Sequence, residues 1–323
     1  MIKRRSLLVG VATTSIVPRI GLAAGYPDRP IRLVVPYAPG GATDTGARAL
    51  GERLEKILGQ SIVVENKAGG STIIGTETVA KAKPDGYTLL LAPGALAVNA
   101  AFGIALPYNT FKDLAPVARF FDMPILLAAS NDAPFKSMQE LLATAKAGGP
   151  SIPFATAGAG SIQHLWAEYL KTRTGLNLDH VSYKGSSEAL RDVVGGHVPL
   201  LSDLLMPTAT AVRAGKVRGL VVAMPQRSAL LPDVPTVGEV GLAGMEGAVP
   251  FGVMAPAGVS PEIVARLNAA INDVLHDGGF RDRLAEFGFT LIGGTPDFYA
   301  QTLADESAKW RKVIQDAHIP PPA

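Results

Sequence analysis

Short apolar runs of strand length recur along this chain, each followed by residues at helical spacing, and that rhythm admits few folds. Ile31 to Val35 has the composition of a strand buried on both faces of a parallel sheet. Ala47, Leu50, Leu54, Ile57 and Leu58 then mark one face of a helix that stops at Gly59. Ser61 to Glu65 is a second strand, Ile73 to Lys83 a second helix closed by Pro84-Asp85-Gly86, and Tyr87 to Ala92 a third strand. Such a βαβαβ unit implies right-handed crossovers and ligand sites beyond the carboxyl ends of its strands.

The rhythm then restarts. Strands are expected at Ile125 to Ala129, Ile152 to Thr156, Leu178 to Tyr183, Val198 to Leu201 and Val217 to Ala223, with helices at Met138 to Ala147 and Ile162 to Thr172. From Pro261 to Ala317 the chain is mostly helical. Two α/β units with a helical tail suggest two lobes facing a cleft.

With 323 residues, 47% hydrophobic and 18% charged, the chain can bury a core in each of two such units. Its first 24 residues differ from the rest: Lys3, Arg4 and Arg5 precede an apolar run from Ser6 to Val17, and small residues cluster around Ala23 and Ala24. This is the pattern of an export signal, too short for a membrane span, and Arg4-Arg5 also fits the twin-arginine type. Removing it takes 30 basic residues to 26 against 28 acidic ones, and the formal charge from +2 to −2. No basic excess remains to hold nucleic acid. Cysteine is absent, which excludes disulfides, thiolate catalysis, cysteine-held metals and a lipid anchor on cysteine. A protein free in a bacterial periplasm is the simplest expectation.

Two glycine turns stand out. VVPYAPGGATDTGARAL, residues 34–50, runs from a strand through Pro-Gly-Gly into a helix. Glycines there let backbone N–H groups approach an anion, and the helix start adds partial positive charge. Gly40, Gly41 and Gly46 match neither the dinucleotide register nor a phosphate loop. A plain tight connection with Thr43 or Asp44 as N-cap is the competing reading. FATAGAGSIQH repeats the arrangement with Thr156, Gly158, Gly160 and Ser161. Two such turns facing each other across a cleft suit a ligand with two ends.

No G-x-S-x-G elbow or H-E-x-x-H pair is present. The five histidines, His164, His180, His197, His276 and His318, are scattered. His164 falls in the first turn of the helix after the second glycine loop, where the helix start favours its neutral form, so it caps or lines a site rather than catalysing. Asp203, following VPLL, can orient a ligand amine or a water, and can equally cap the next helix.

These residues resemble the substrate-binding proteins of tripartite tricarboxylate transporters, the Bug receptors. YPDRPIRLVVPYAPGGATD, GQSIVVENKAGG, AKAKPDGYTLLLA, TAGAGSIQHLWAEYL, HVSYKGSSEALRDVVGGHV, RSALLPDVPTVGEVGL and FGVMAPAGVSPEIVARLN follow one another in the family's order across the whole mature chain. The resemblance implies an α/β, two-lobed periplasmic-binding-protein fold of type II kind, with two doubly wound sheets, a hinge and a central cleft. Residues 25–125 with 249–323 would form one lobe and 126–248 the other, after a signal peptide at 1–24. It further implies that Tyr37, Ala38, Pro39, Gly40 and Gly41, with Thr43 and Asp44 beside them, hold one carboxylate of a small organic acid. Thr156, Ala157, Gly158, Gly160 and Ser161, with His164, would hold the distal end. No catalytic residue, metal or cofactor is implied; the partners are the ligand and the membrane subunits of the transporter, and the receptor would act as a monomer. The chain departs from the family at Ser182, which replaces a proline, at Pro250, which replaces a tryptophan, and at Ser71, Thr72 and Ile73, where glycines are common. Two other classes share the same cleft: a sensor that docks on a signalling protein, and an α/β enzyme acting on a carboxylate, which needs a base at His164 or Asp203.

Overall fold

A computed structural model describes residues 25–146 and 148–321. The expected signal peptide, residues 1–24, lies outside these, as does Ala147 at the end of the helix expected over Met138 to Ala147.

The first unit forms β1 (Ile31–Val35), α1 (Ala42–Leu58), β2 (Ile62–Asn66), a 3-10 turn at Gly70–Thr72, α2 (Ile73–Ala80), β3 (Thr88–Ala92) and α3 (Ala95–Phe102). β1 lies between β2 and β3, parallel to both, and Ile31, Leu33, Val34 and Val35 are buried. Helix α1 turns Ala47, Leu50, Leu54 and Leu58 inward, and each leucine contributes about 1.5–3 kcal/mol by leaving water, whereas Ile57, expected on the same face, is 43% exposed. It ends where the Gly59 N–H bonds back to the Glu55 carbonyl at φ +71°, a left-handed conformation that glycine adopts without strain.

β4 (Leu114–Ser130), α4 (Met138–Lys146), β5 (Ile152–Thr156), α5 (Ile162–Thr174), β6 (Leu178–Ser182), α6 (Ser186–Val194), β7 (Leu200–Leu204), α7 (Leu205–Arg213) and β8 (Val217–Val222) follow. β5 lies parallel between β6 and β7. The chain then makes β9 (Ala248–Pro256), α8 (Pro261–His276), α9 (Gly278–Ala285), β10 (Thr290–Leu291) and α10 (Pro296–Asp316).

The sequence leads to two sheets, and the structure joins them through one strand. β4 pairs with β9 over Leu114 to Pro124, then with β7 and β8 over Ile125 to Ser130, so that the strand order runs β2-β1-β3-β9-β4-β7-β5-β6. Only the second half of β4 reads as a strand in the sequence, because Arg119 and Asp122 interrupt the apolar run of the first half. In the fold they neutralise each other: Arg119 Nε donates to Asp122 Oδ1 at 2.9 Å, and both side chains are largely buried. β7 likewise runs to Leu204 rather than stopping at Leu201, since Ser202 and Asp203 are fully buried with partners of their own.

Register fixes where the strand ends meet. Ala92, the last residue of β3, stands opposite Gly252, and β9 leads on to Ala248 opposite Pro124 of β4. From the other side, Leu204 at the end of β7 stands opposite Ile125, and β5 runs parallel to β7. The carboxyl ends of both parallel sets therefore converge on Pro124–Ile125, the arrangement that places ligands between sheets. Three backbone bonds knit this point: Ile125 N–H to Gly247 O at 3.0 Å, Ala223 N–H to Ile125 O at 2.8 Å, and Gly247 N–H to Ala223 O at 3.0 Å. α10 packs on α3 and β4 and also reaches α5. Among the described residues no helix is long and apolar enough to cross a membrane.

Candidate functional site: two glycine turns at converging strand ends

The first turn, Pro36 to Gly41, leaves the end of β1, and Ala38, Pro39, Gly40 and Gly41 are exposed while Tyr37 is half-buried against the core. Gly41, not Thr43 or Asp44, is the N-cap of α1, and no side chain among the described residues caps it. Gly40 sits at φ +87°, where a side chain would be strained. Asp44 folds back on the turn instead: Oδ2 accepts from the Gly40 N–H at 2.9 Å and from Arg48 Nε at 3.1 Å, and Oδ1 accepts from Asn66 Nδ2 at 3.0 Å. Asn66 also donates to the Tyr37 carbonyl at 3.1 Å. Burial raises the Asp44 pKa, but Arg48, the Gly40 N–H and Asn66 together outweigh it and hold the carboxyl below its ordinary value. Asp44 is thus a charged clasp of the turn, with its charge already met. The N–H groups of Ala42 and Thr43 make no hydrogen bond among the described residues and open the helix start to an incoming acceptor.

The second turn is built differently. It leaves the end of β5 and enters α5, whose N-cap Ser161 accepts from the His164 N–H at 3.2 Å. Its own N–H groups are engaged: Gly158 with Thr156 Oγ1 at 3.3 Å, Ala159 with Ser182 Oγ at 2.9 Å, Gly160 with His164 Nδ1 at 3.1 Å, and Ser161 with the Gly158 carbonyl at 3.3 Å. As at the start of α1, the N–H groups of the first two helical residues, here Ile162 and Gln163, have no partner among the described residues. Ala157 is half-buried beside Thr156.

His164 and His180, scattered in the sequence, are brought together: their rings stack with centroids 3.7 Å apart, and Phe154 flanks both. Because His164 Nδ1 accepts the Gly160 N–H, its proton resides on Nε2, which faces Glu168 at 3.8 Å. His180 Nε2 contacts Thr156 Oγ1 at 2.7 Å. Burial lowers the His164 pKa to about 3, with His180 and Lys171 acting in the same sense. Burial also lowers that of His180 to about 4, against the pull of Asp179. Both rings are neutral props of the turn.

Asp203 lies beneath the starts of α6 and α7. Its Oδ1 accepts from Ser186 Oγ and the Leu204 N–H, both at 2.8 Å, and from Gln163 Nε2 at 3.4 Å. Among the described residues its Oδ2 is buried without a hydrogen-bond partner beside the Thr208 hydroxyl, and burial raises its pKa to about 6. It ties three helix starts together.

Sequence reasoning missed a third loop of the same kind. Pro93-Gly94 joins the end of β3 to α3, and a Cβ on Gly94 would fall 2.1 Å from Val249 Cγ1 and 3.1 Å from Ile162 Cδ1. Gly94 is therefore where the first unit touches the second turn. A further depression of about 230 Å³ opens between α1 and α9, lined by Arg48, Glu52, Arg283 and Phe287 among others.

Residues 46–319 match the family model described as "Tripartite tricarboxylate transporter family receptor". The protein BugT of Bordetella pertussis is 36% identical over 308 residues, covering 95% of this chain and 94% of its own. Two solved structures are similar along nearly their whole length. R. palustris Rpa4515 with adipate has a TM-score of 0.81 at 34% identity and covers 91% of this chain and 99% of its own. MatC from Rhodopseudomonas palustris with bound malate has a TM-score of 0.76 at 34% identity and covers 90% and 100%. The chain belongs to the receptor family of the tripartite tricarboxylate transporters.

Proposed function

We propose that the protein takes a small organic carboxylate, foremost a dicarboxylate, between its two glycine turns and delivers it to the membrane subunits of a tripartite transporter. The observation that carries this reading is the open start of α1. The Ala42 and Thr43 N–H groups are unengaged there, and the one carboxylate nearby, Asp44, is held by Arg48. Neutral backbone donors bind a carboxylate without burying a counter-charge that would itself need a partner. The relatives solved with adipate and malate support the same ligand chemistry.

Lobes of residues 25–125 with 249–323 and 126–248 would close about Pro124–Ile125 and Gly247–Ala248, with ligand favouring the closed state. The protein would work as a monomer in the periplasm, reached through the signal at residues 1–24, and would bind without catalysing. In the first turn the ligand would meet Gly41, Ala42 and Thr43, with Tyr37, Ala38, Pro39, Gly40 and Asp44 shaping the cradle. Thr156, Ala157, Gly158, Gly160, Ser161 and His164 would shape the second turn, and Asp203 would hold the helix starts behind it.

The test is thermal unfolding of the ligand-free protein against mono-, di- and tricarboxylates, amino acids and aromatic acids. A ligand at a hundred times its Kd adds about 2.7 kcal/mol and raises Tm by about 4 °C for a chain of this length. A dicarboxylate among the hits is expected; a panel without any shift removes the reading.

A further inference from the structure

Side chains alternate along β6, so His180 and Ser182 share the face on which α5 packs, where His180 meets His164. Ser182 is the last residue of β6, opposite Thr156 at the end of β5, and is exposed. Its Oγ accepts the Ala159 N–H at 2.9 Å, which fixes the hydroxyl against the second turn. Neighbouring hydroxyls already donate: Ser161 to the Gly158 carbonyl at 2.7 Å, Ser186 to Asp203 at 2.8 Å, and Tyr183 to Asp192 at 2.7 Å. The Thr156 hydroxyl lies between the Gly158 carbonyl at 3.2 Å and His180 at 2.7 Å. Among the described residues the Ser182 hydroxyl alone in this group accepts a bond and donates none.

A hydroxyl held through its acceptor side and free on its donor side is a pre-oriented donor, and its strongest partner is an anionic oxygen. Within the turn the Gly158, Ala159, Gly160 and Ser161 N–H groups are engaged internally, so beside the Ile162 and Gln163 N–H groups at the start of α5 the Ser182 hydroxyl is the side-chain donor left for an anion. We infer that Ser182 is a specificity-determining residue, whose hydroxyl donates to the far carboxylate of a linear dicarboxylate whose near carboxylate rests on the start of α1. This rests on the carboxylate-receptor reading and deepens it: the first turn reads a carboxylate through backbone alone, and the second adds one side chain to its helix start.

The experiment titrates adipate and succinate, and their monocarboxylate counterparts hexanoate and butyrate, each to saturation, into wild type, Ser182→Ala and Ser182→Thr. Exposure of the site leaves the fold intact in both variants, which circular dichroism checks. Ser182→Ala is expected to raise the Kd of the tighter dicarboxylate at least tenfold while changing that of its monocarboxylate less than twofold, and Ser182→Thr to stay within threefold of wild type for both. An equal loss for both ligand classes means that Ser182 only anchors Ala159, and overturns the inference. So does an unchanged dicarboxylate affinity, or a wild type that binds mono- and dicarboxylates equally. A wild type that binds neither dicarboxylate overturns this inference while leaving the receptor reading, which falls only if the whole carboxylate panel is also without effect.

Discussion

Replacing His164 by Asn takes away a titrating ring but keeps an acceptor, because Asn Oδ1 occupies the place of His Nδ1 and can receive the Gly160 N–H. The folded-state value of His164, about 3, lies below the usual 6.5, so the unfolded chain takes up the proton first. Stability from this group is intact above pH 6.5 and is lost as the pH falls from there toward 3. Between pH 7.5 and 4.5 the shift corresponds to roughly 2–3 kcal/mol. Wild type alone hides this. Asp122 and Asp203, both raised to about 6 by burial, have the opposite sign: each gains about 2 kcal/mol as the pH falls through 6. The comparison of variant and wild type cancels those two. His164→Asn is expected to lose about 1–2 kcal/mol at pH 7.5 through poorer packing against Phe154 and His180, and to recover about 2 kcal/mol relative to wild type by pH 4.5. Urea unfolding at five pH values across that range reads the difference. A gap that stays constant within about 0.5 kcal/mol would refute the claim that a neutral His164 props the second turn.

Three other substitutions probe the site. Gly41 has ordinary extended backbone, φ −80° and ψ 174°, with its nearest neighbour the Ala38 carbonyl at 4.0 Å; Gly41→Val should fold normally and lose carboxylate binding, and calorimetry showing unchanged affinity removes the cradle. Gly94→Ala drives a methyl into Val249 and should cost about 1–3 kcal/mol, partly recovered in the double variant with Val249→Ala, as read by Tm. Asp44→Ala releases the Gly40 N–H, Asn66 and Arg48; two bonds to a charged acceptor are lost while the half-exposed Arg48 rehydrates, so urea unfolding should show a loss of about 2–4 kcal/mol.

The local rules that were legible in the sequence are those carried by one element at a time. The apolar stripe of α1 with its stop at Gly59, and the strand, glycine turn and helix of β5 and α5, follow from spacing and residue type alone. What stayed hidden depends on partners distant in the chain. The first half of β4 reads as polar because Arg119 and Asp122 are neutral only as a pair, and β7 reads as short because Asp203 finds its donors on α5, α6 and the start of α7. The two turns look alike as strings of small residues. They differ because His164 and Ser182 occupy the N–H groups of the second, whereas Asp44 takes only that of Gly40 in the first. Pro93-Gly94 was findable, being a third Pro/Gly junction between a strand and a helix, but its meaning lies in its contact with Ile162.

The most direct test of the central claim is a crystal structure of the protein soaked with, or grown in, malate or adipate. Density for one carboxylate within 3 Å or so of the Ala42 and Thr43 N–H groups, with the chain of the ligand reaching toward Ser182 and α5, is the predicted result. A dicarboxylate bound instead in the depression between α1 and α9, beside Arg48 and Arg283, would contradict it.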